Sequence, residues 1–344
     1  MKNDHKRVNL REIARLSESS KSTVSRVLTK HPNVSPKTRA RIEAVIEKLQ
    51  FRPNLFARGL AGGRTGLIAV LASEMNSGFF AEVIRGIDQI AQIHEGHVMS
   101  SFAHGADDYV RLWDEFNESG RADGIILIAP PRDIFKHSIS SDNVPVVLCA
   151  SRPPEHSEGW GQVDTVTINN RKGFRDLMVH LESQGCRSFV HIAGPSDMYD
   201  ARERREEFES FVSARPGLQG EVIETLQSTE GGREAVKDCL RRKQKRPDVF
   251  VAVNDLAALG ALQALRDEGI AVPGQVAVTG CDDDPASAIL GLTTLHMPMI
   301  AIGRESASLL FEHLEKKRDL AAAKHQVMDL RLEVRSTSLS SALR

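Results

Sequence analysis

Nowhere does the 344-residue chain approach the roughly 20 consecutive apolar residues that cross a bilayer as a helix, so no membrane partner is expected. The opening stretch, MKNDHKRVNLREIARL, has basic residues but neither an apolar core nor a small-residue cleavage site. No signal peptide is read there, and a cytoplasmic location is expected. Cysteine is scarce: Cys149, Cys186, Cys239 and Cys281 are scattered and form no C-x-x-C pair. They are expected as buried, reduced thiols rather than disulfides or a zinc site. Catalytic signatures are also missing. There is no G-x-x-x-x-G-K-[ST], no G-x-G-x-x-G after a strand, no nucleophile elbow and no zinc spacing, and the 12 histidines are dispersed. The Gly-rich GLAGGRTG therefore reads as something other than a phosphate loop. No catalytic residue, cofactor or metal is expected, and the chain is read as not an enzyme. The C-terminal LRLEVRSTSLSSALR shows no sustained heptads, so nothing there supports a tetramerising coiled coil.

What is present is a segregation of charge. Residues 1–64 hold 15 Lys+Arg against 5 Asp+Glu, a balance of +10, and the remainder carries −11. A basic module for a polyanion attached to an acidic body fits that split better than an evenly solvated surface. Length allows two or three domains with proper cores, and 41% hydrophobic and 26% charged residues are ordinary for a globular chain.

The first 50 residues read as three short helices. Asn9, with Glu12 as its reciprocal partner at N3, opens a helix through Ile13 and Leu16. Ser20 caps a second helix, Lys21 to Leu28. Ser35 caps a third with Pro36 at N1, burying Ile42, Val45, Ile46 and Leu49 on one face. Two helices joined by about four residues, the second short, basic and hydroxyl-bearing, form a helix-turn-helix pattern. Val24, Val27 and Leu28 would face the core, leaving Lys21, Ser22, Ser25 and Arg26 to meet DNA.

From Gly66 onward the texture is that of a parallel sheet: GLIAVLAS, GHVMSSFA, DGIILIAP and VPVVLCAS are short apolar runs with helical segments between them. After TVTINN the pattern restarts with SFVHIAG, EVIETL, DVFVAVND and VAVTGCDD. Two doubly wound parallel sheets follow, an α/β two-lobed body whose strands deliver Asn169, Ser196, Asn254, Asp255, Asp282 and Asp283 to their carboxyl ends.

VNLREIARLSESSKSTVSRVL and NVSPKTRARIEAVIEKLQFRPNLFARGLAGGRTGLIAV resemble the headpiece and hinge of the lactose-repressor (LacI/GalR) family of bacterial regulators. NSGFFAEVIRGID, VTINNRKGFRDLMVHL, HIAGPSDMYDARERREEF, VAVNDLAALGALQAL, VAVTGCDDDPAS and LTTLHMP resemble later family blocks in the same order. The resemblance implies a homodimer that reads a palindromic operator in double-stranded DNA and changes affinity when a small molecule binds. It implies a helix-turn-helix headpiece at 1–52, a hinge at 53–64 and a periplasmic-binding-protein-like effector domain at 65–340. The lobes are expected at about 65–186 with 296–325, and 187–295 with 326–340, crossing near Gly185–Arg187, Thr294–His296 and Lys324–Met328.

By position, Lys21, Ser22 and Arg26 match base readers, and Arg26 suits guanine, its alternative being a phosphate. Thr23 and Ser25 match phosphate contacts, with Asn9, Ser35, Asn54 and Arg58 also on the DNA side. Leu60 matches the hinge leucine that wedges into the operator's minor groove. Phe79, Phe80, Asn169, Arg202, Asn254 and Asp282 match the effector pocket, a sugar or sugar derivative being favoured because a carboxylate with amide and guanidinium groups suits vicinal hydroxyls. Core packing remains the alternative for the two phenylalanines, a solvated helix face for Arg202, and helix capping for Asp282, Asp283, Asn254 and Asp255. The chain departs from the family at Glu18 and Ser19, which replace a glycine and an apolar residue in the turn. It departs also at Gly59 in the hinge, at Asn169 in place of an aspartate, and at Cys281 in place of an aromatic. A sugar-binding protein without a DNA role is the competing reading.

Overall fold

The computed structural model describes residues 9–28, 32–51, 64–73, 78–137, 139, 144–242, 245–315 and 322–339. The chain divides into two compact units, Met1–Thr65 and Gly66–Arg344.

The first unit is helical: α1 (Leu10–Leu16), α2 (Lys21–Leu28) and α3 (Pro36–Lys48). Asn9 Oδ1 accepts from the backbone N–H groups of Arg11 and Glu12 at 3.0 and 3.1 Å, satisfying two otherwise orphaned donors at the start of α1. Ser20 Oγ accepts from Thr23 N at 3.1 Å, and Ser35 Oγ from Thr38 N at 3.3 Å, with Pro36 in the first turn of α3. Ile13, Ala14, Val24, Val27 and Ile42 form the core, flanked by Leu28, Val45, Ile46 and Leu49. Leu16 departs from expectation, being 44% exposed at the end of α1. The buried position there goes to Ser17, whose hydroxyl donates to Ile13 O at 2.7 Å.

The second unit contains two six-stranded sheets. In the first lobe β1 (Leu67–Ser73), α4 (Gly78–Ile93), β2 (His97–Ala103), α5 (Ala106–Ser119), β3 (Gly124–Ile128), β4 (Val146–Cys149) and β5 (Asp164–Ile168) follow in sequence. The second lobe takes α6 (Asn170–Ser183), β6 (Ser188–Ala193), α7 (Tyr199–Ser213), β7 (Gln219–Glu224), α8 (Thr229–Arg242), β8 (Val249–Ala252), α9 (Asp255–Asp267), β9 (Ala277–Asp282), α10 (Pro285–Leu290) and β10 (Thr293–His296). The chain then returns through α11 (Met299–Leu314) and β11 (His325–Met328) to the first lobe, and ends in β12 (Arg331–Glu333) on the second.

Strand order is β11-β5-β4-β3-β1-β2 in one sheet and β12-β10-β9-β8-β6-β7 in the other. Every pairing is parallel except β10 with β12. The continuous apolar runs arise because helices cover both faces: all five residues of β3 are buried, as are all four of β8. Helices α4 and α11 pack backbone to backbone; a Cβ on Gly303 would lie only 2.0 Å from Val83 O.

The lobe crossings differ from those expected. The first falls at Asn169–Asn170 rather than Gly185–Arg187, because α6 packs on the second lobe: Phe174 meets the His191 ring edge-on at 5.1 Å, and Arg175 pairs with the buried Glu207 at 2.7 Å. The second follows β10, at Met297–Pro298, rather than at Thr294–His296. The third falls at Asp329–Leu330 rather than Lys324–Met328, because His325–Met328 pairs along Thr165–Ile168 and extends the first sheet.

Candidate nucleic-acid interface and effector cavity

On α2 the helical period separates two faces. Val24 and Val27 point into the core, while Lys21, Ser22 and Arg26 are exposed and Thr23 and Ser25 are half-buried. No acidic residue occupies its first turn, so the positive helix end is not neutralised locally. The Ser20 hydroxyl links Ser22 Oγ at 2.7 Å and Thr23 Oγ1 at 2.8 Å, giving the exposed end of the helix a joined set of hydroxyls. The turn before it carries Glu18 at φ +45°, left-handed backbone that favours glycine. Arg41 on α3 donates to Glu18 O at 3.3 Å and to Ser19 Oγ at 3.4 Å, holding that turn against α3. Asn9 and Ser35 spend their side chains on caps. Asn54, Arg58, Gly59 and Leu60 lie outside the described residues.

In the second unit a cavity of about 300 Å³ lies at the carboxyl ends of both sheets. The first lobe contributes Ser73, Phe79, Phe80, Ala129 and Ala150; the second contributes Met198, Tyr199, Asp200, Arg204, Leu226, Gln227, Ser228, Asn254 and Asp282. Phe79 and Phe80 meet edge to face at 5.2 Å in the first turn of α4 and are both core and wall, so the two readings of these rings were not exclusive. Asn254 caps α9, accepting from Ala257 N at 2.9 Å, while its amide lies 3.4 Å from Gln227 O.

Two expected residues are displaced from the cavity. Arg202 stays half-buried against the Tyr199 ring, 5.8 Å from its centre, and Arg204 lines the cavity in its place. The reason is helical phase: Ala201, Phe208 and Phe211 anchor α7, which brings Asp200 and Arg204, one turn apart, to the cavity. Asn169 caps α6 and reaches Asp329 at 2.9 Å, and its neighbour Asn170 points inward instead. Arg204 Nε donates to Asn170 Oδ1 at 2.9 Å and Nη1 to Val253 O at 2.7 Å, and Asn170 Nδ2 donates to Asp200 Oδ1 at 2.7 Å. The i, i+4 spacing of Asp200 and Arg204 in DARER was the available signal for this pair.

Asp282 stands apart. It is 5% exposed, sits at φ +129°, and its carboxylate receives no protein hydrogen bond among the described residues, although its backbone oxygen accepts from Met297 N at 3.3 Å. Burial pushes its carboxyl well above the usual range, with Arg204 opposing the shift. A buried acceptor without a donor, on backbone a non-glycine residue rarely adopts, is the signature of a group shaped for a ligand. Neither Asp282 nor Asp283 caps α10. Asp255 does that work, accepting from Asp284 N at 2.9 Å, Ser287 Oγ at 2.5 Å and Thr294 Oγ1 at 2.6 Å, while Asp283 holds Arg335 at 2.7 Å. Asp284 turns its carboxylate across to the other lobe. A Cβ on Gly78 would lie 2.8 Å from Asp284 Oδ1, so the start of α4, which has no acidic residue of its own, meets a carboxylate from β9–α10.

All four cysteines are buried and in no disulfide, and burial pushes Cys149 and Cys186 up to about 12, far from a reactive thiolate. No cluster able to hold a metal ion occurs among the described residues, and no described helix is long and apolar enough to cross a membrane.

A helix-turn-helix unit followed by a two-lobed sheet body with a cavity at its strand ends defines a class, DNA-binding regulators that carry an effector domain. The comparisons agree. Residues 9–54 match the family of bacterial regulatory proteins of the lacI type, and residues 178–338 match the periplasmic binding protein-like domain. Catabolite control protein A of Priestia megaterium is 29% identical over 318 residues, covering 90% of this chain and 93% of that protein. The protein of the same name from Staphylococcus xylosus is 28% identical over 320 residues, covering 90% and 93%. Among solved structures, the lac repressor dimer bound to operator and the anti-inducer ONPF aligns over 97% of this chain and 100% of its own, with a TM-score of 0.84 at 24% identity. The CelR–cellobiose complex aligns over 96% and 100%, with a TM-score of 0.71 at 27% identity. The chain carries a lacI-type DNA-binding domain and a periplasmic binding protein-like domain: it is a DNA-binding transcriptional regulator and not an enzyme.

Proposed function

We propose that the protein is a repressor that binds a palindromic operator as a homodimer and changes its affinity when a sugar or sugar derivative fills the cavity between its lobes. The observation that carries this reading is Asp282, buried and strained with a carboxylate that has no donor among the described residues, in a cavity with Arg204 and three aromatic rings. Such a site suits a ligand with vicinal hydroxyls and an apolar face. Cellobiose in a 27%-identical relative of the same fold supports a carbohydrate, and an operator-bound dimer among the structural neighbours supports the dimer. The effector residues are then Phe79, Phe80, Asn254 and Asp282 with Asp200 and Arg204, while Asn169 and Arg202 play supporting parts. Action on an operator puts the protein in the cytoplasm.

On the DNA side, Lys21, Ser22 and Arg26 read base edges in the major groove, Thr23 and Ser25 hold phosphates, and the hinge 53–64, with Asn54, Arg58 and Leu60, enters the minor groove. The test is selection of a preferred duplex from a random pool by the full chain, followed by binding titrations on it. Arg26→Ala should cost about 1–3 kcal/mol on the selected duplex and relax one base pair per half-site. Equal loss on selected and random DNA would reduce Arg26 to a phosphate contact. Recovery of a single half-site without two-fold symmetry would remove the dimeric operator.

A further inference from the structure

At the carboxyl end of β9 two consecutive residues other than glycine take positive-φ backbone, Asp282 at φ +129° and Asp283 at φ +61°. Asp282 lines the cavity, whereas Asp283, His296 and Arg335 lie outside that lining. Backbone of this kind persists only where its surroundings over-determine it. Asp283 is the residue through which they do so. Its Oδ1 accepts from Arg335 Nη2 at 2.7 Å, and Nδ1 of His296 lies 3.0 Å from its Oδ2. Both side chains of the Arg335 pair are mostly buried, so the charge-assisted bond is little screened. Arg335 is itself immobilised: its Nη1 donates to Leu292 O at 2.8 Å, and its backbone N–H donates to Thr293 Oγ1 at 2.9 Å. On the far side, Asp284 N donates to Asp255 Oδ2 at 2.9 Å. Asp282 is thus followed by a residue clamped to both segments of the second lobe that flank lobe crossings, His296 at the end of β10 and Arg335 just beyond β12.

We infer that Asp283 and Arg335 are positioning residues for the effector: they do not touch it, and their ion pair holds Asp282 on the strained backbone that aims its carboxyl into the cavity. This rests on the reading of Asp282 as the acceptor for a carbohydrate and deepens it. Without the clamp the backbone relaxes toward negative φ, the carboxyl turns away, and affinity falls with the fraction of molecules that stay competent. Glycine populates positive φ about as readily as negative φ, so at position 283 it should replace the ion pair. Alanine, which avoids positive φ, should not.

The test is calorimetric titration of the full chain with cellobiose, D-glucose and D-galactose, after which the tightest binder is titrated into variants. Arg335→Met and Asp283→Ala should each weaken binding by about tenfold or more, and Asp283→Gly by no more than about threefold. Adding Asp283→Gly to Arg335→Met should restore affinity to within about threefold of the wild type, whereas adding Asp283→Ala should not. A pair that served only the fold would lower the melting temperature and leave the glycine and alanine variants alike in affinity. Equal affinity of Asp283→Gly and Asp283→Ala therefore overturns the inference, as does an Arg335→Met protein that binds like the wild type. Both results leave the carbohydrate reading standing. If Arg335→Met does not fold, the two single substitutions at 283 carry the test alone. Absence of binding by all three sugars in the wild type overturns the carbohydrate reading and, with it, the inference that rests on it.

Discussion

The headpiece and the effector cavity solve opposite electrostatic problems. Residues 1–64 carry +10, and Lys21 and Arg26 stand exposed on α2, in a helical unit whose buried core is Ile13, Ala14, Val24, Val27 and Ile42. The cavity is lined by two carboxyls and one guanidinium: Asp282 and Arg204 are buried, Asp200 is half-buried, and Arg204 and Asp200 are fixed by hydrogen bonds through Asn170. Exposed cations are cheap to hold and act on a polyanion through many weak, screened contacts. Buried carboxylates are costly to hold and act on one small ligand through a few unscreened ones. The two regions should therefore respond differently to every perturbation of charge.

Salt gives the largest contrast. If about six phosphates are neutralised, affinity for operator DNA should fall about 10³-fold between roughly 50 and 200 mM salt. Ligand binding in the cavity should change by less than about twofold over the same range, because its charges are shielded from the ionic atmosphere. Parallel titrations by fluorescence anisotropy and calorimetry check both. A flat DNA profile would break the contrast at the headpiece, and a steep ligand profile would break it at the cavity.

Arginine deletion comes next. Arg204 is 3% exposed and links Asn170 and Val253, so Arg204→Ala strands Asp200 and should lower the stability of the body by about 3 kcal/mol. Arg202→Ala, two residues away on the same helix, should cost no more than about 0.5 kcal/mol. Denaturant unfolding of the two variants measures the difference, and equal losses would mean that the assignment of Arg204 over Arg202 is wrong.

That pair also shows where the sequence is informative. The helix caps at Asn9, Ser20 and Ser35 involve neighbours within three residues, and the all-apolar strands declare a sheet covered on both faces, so both were legible. The place of Asn254 and Asp282 in the cavity lining was legible because a doubly wound fold brings strand ends to one place, whereas that of Phe79 and Phe80 came only from the family resemblance. In DARERREEF nearly every position is charged, so hydrophobic pattern alone leaves the helix phase open by two residues. Phase is set by Phe208 and Phe211 packing into a core that the local stretch does not display. The displacement of Asn169 by Asn170 has a similar origin, since the chain changes lobes between them and one cap residue stands where two were plausible. His325–Met328 carries three exposed residues of four, and its place in the first sheet depends on β5, some 160 residues earlier.

The smallest effect returns to the headpiece. Glu18 holds φ +45° where glycine would be unstrained, so Glu18→Gly should raise headpiece stability by about 0.5–1 kcal/mol and leave the ligand response of the body untouched. Thermal unfolding of the full chain followed by headpiece-specific hydrogen exchange checks this. A destabilised variant would show that the Arg41 clamp depends on the glutamate rather than on the backbone it contacts.

The central claim is that occupancy of the cavity changes how the headpiece holds DNA. It is tested most directly by titrating the full chain onto its selected duplex with and without a saturating sugar, cellobiose first, in the wild-type protein and in Asp282→Ala. The account predicts a change in duplex affinity of about tenfold or more in the wild type, a coupling of more than about 1 kcal/mol, and no change in Asp282→Ala. A sugar that binds the cavity calorimetrically, yet leaves wild-type affinity for the duplex unaltered, would contradict it.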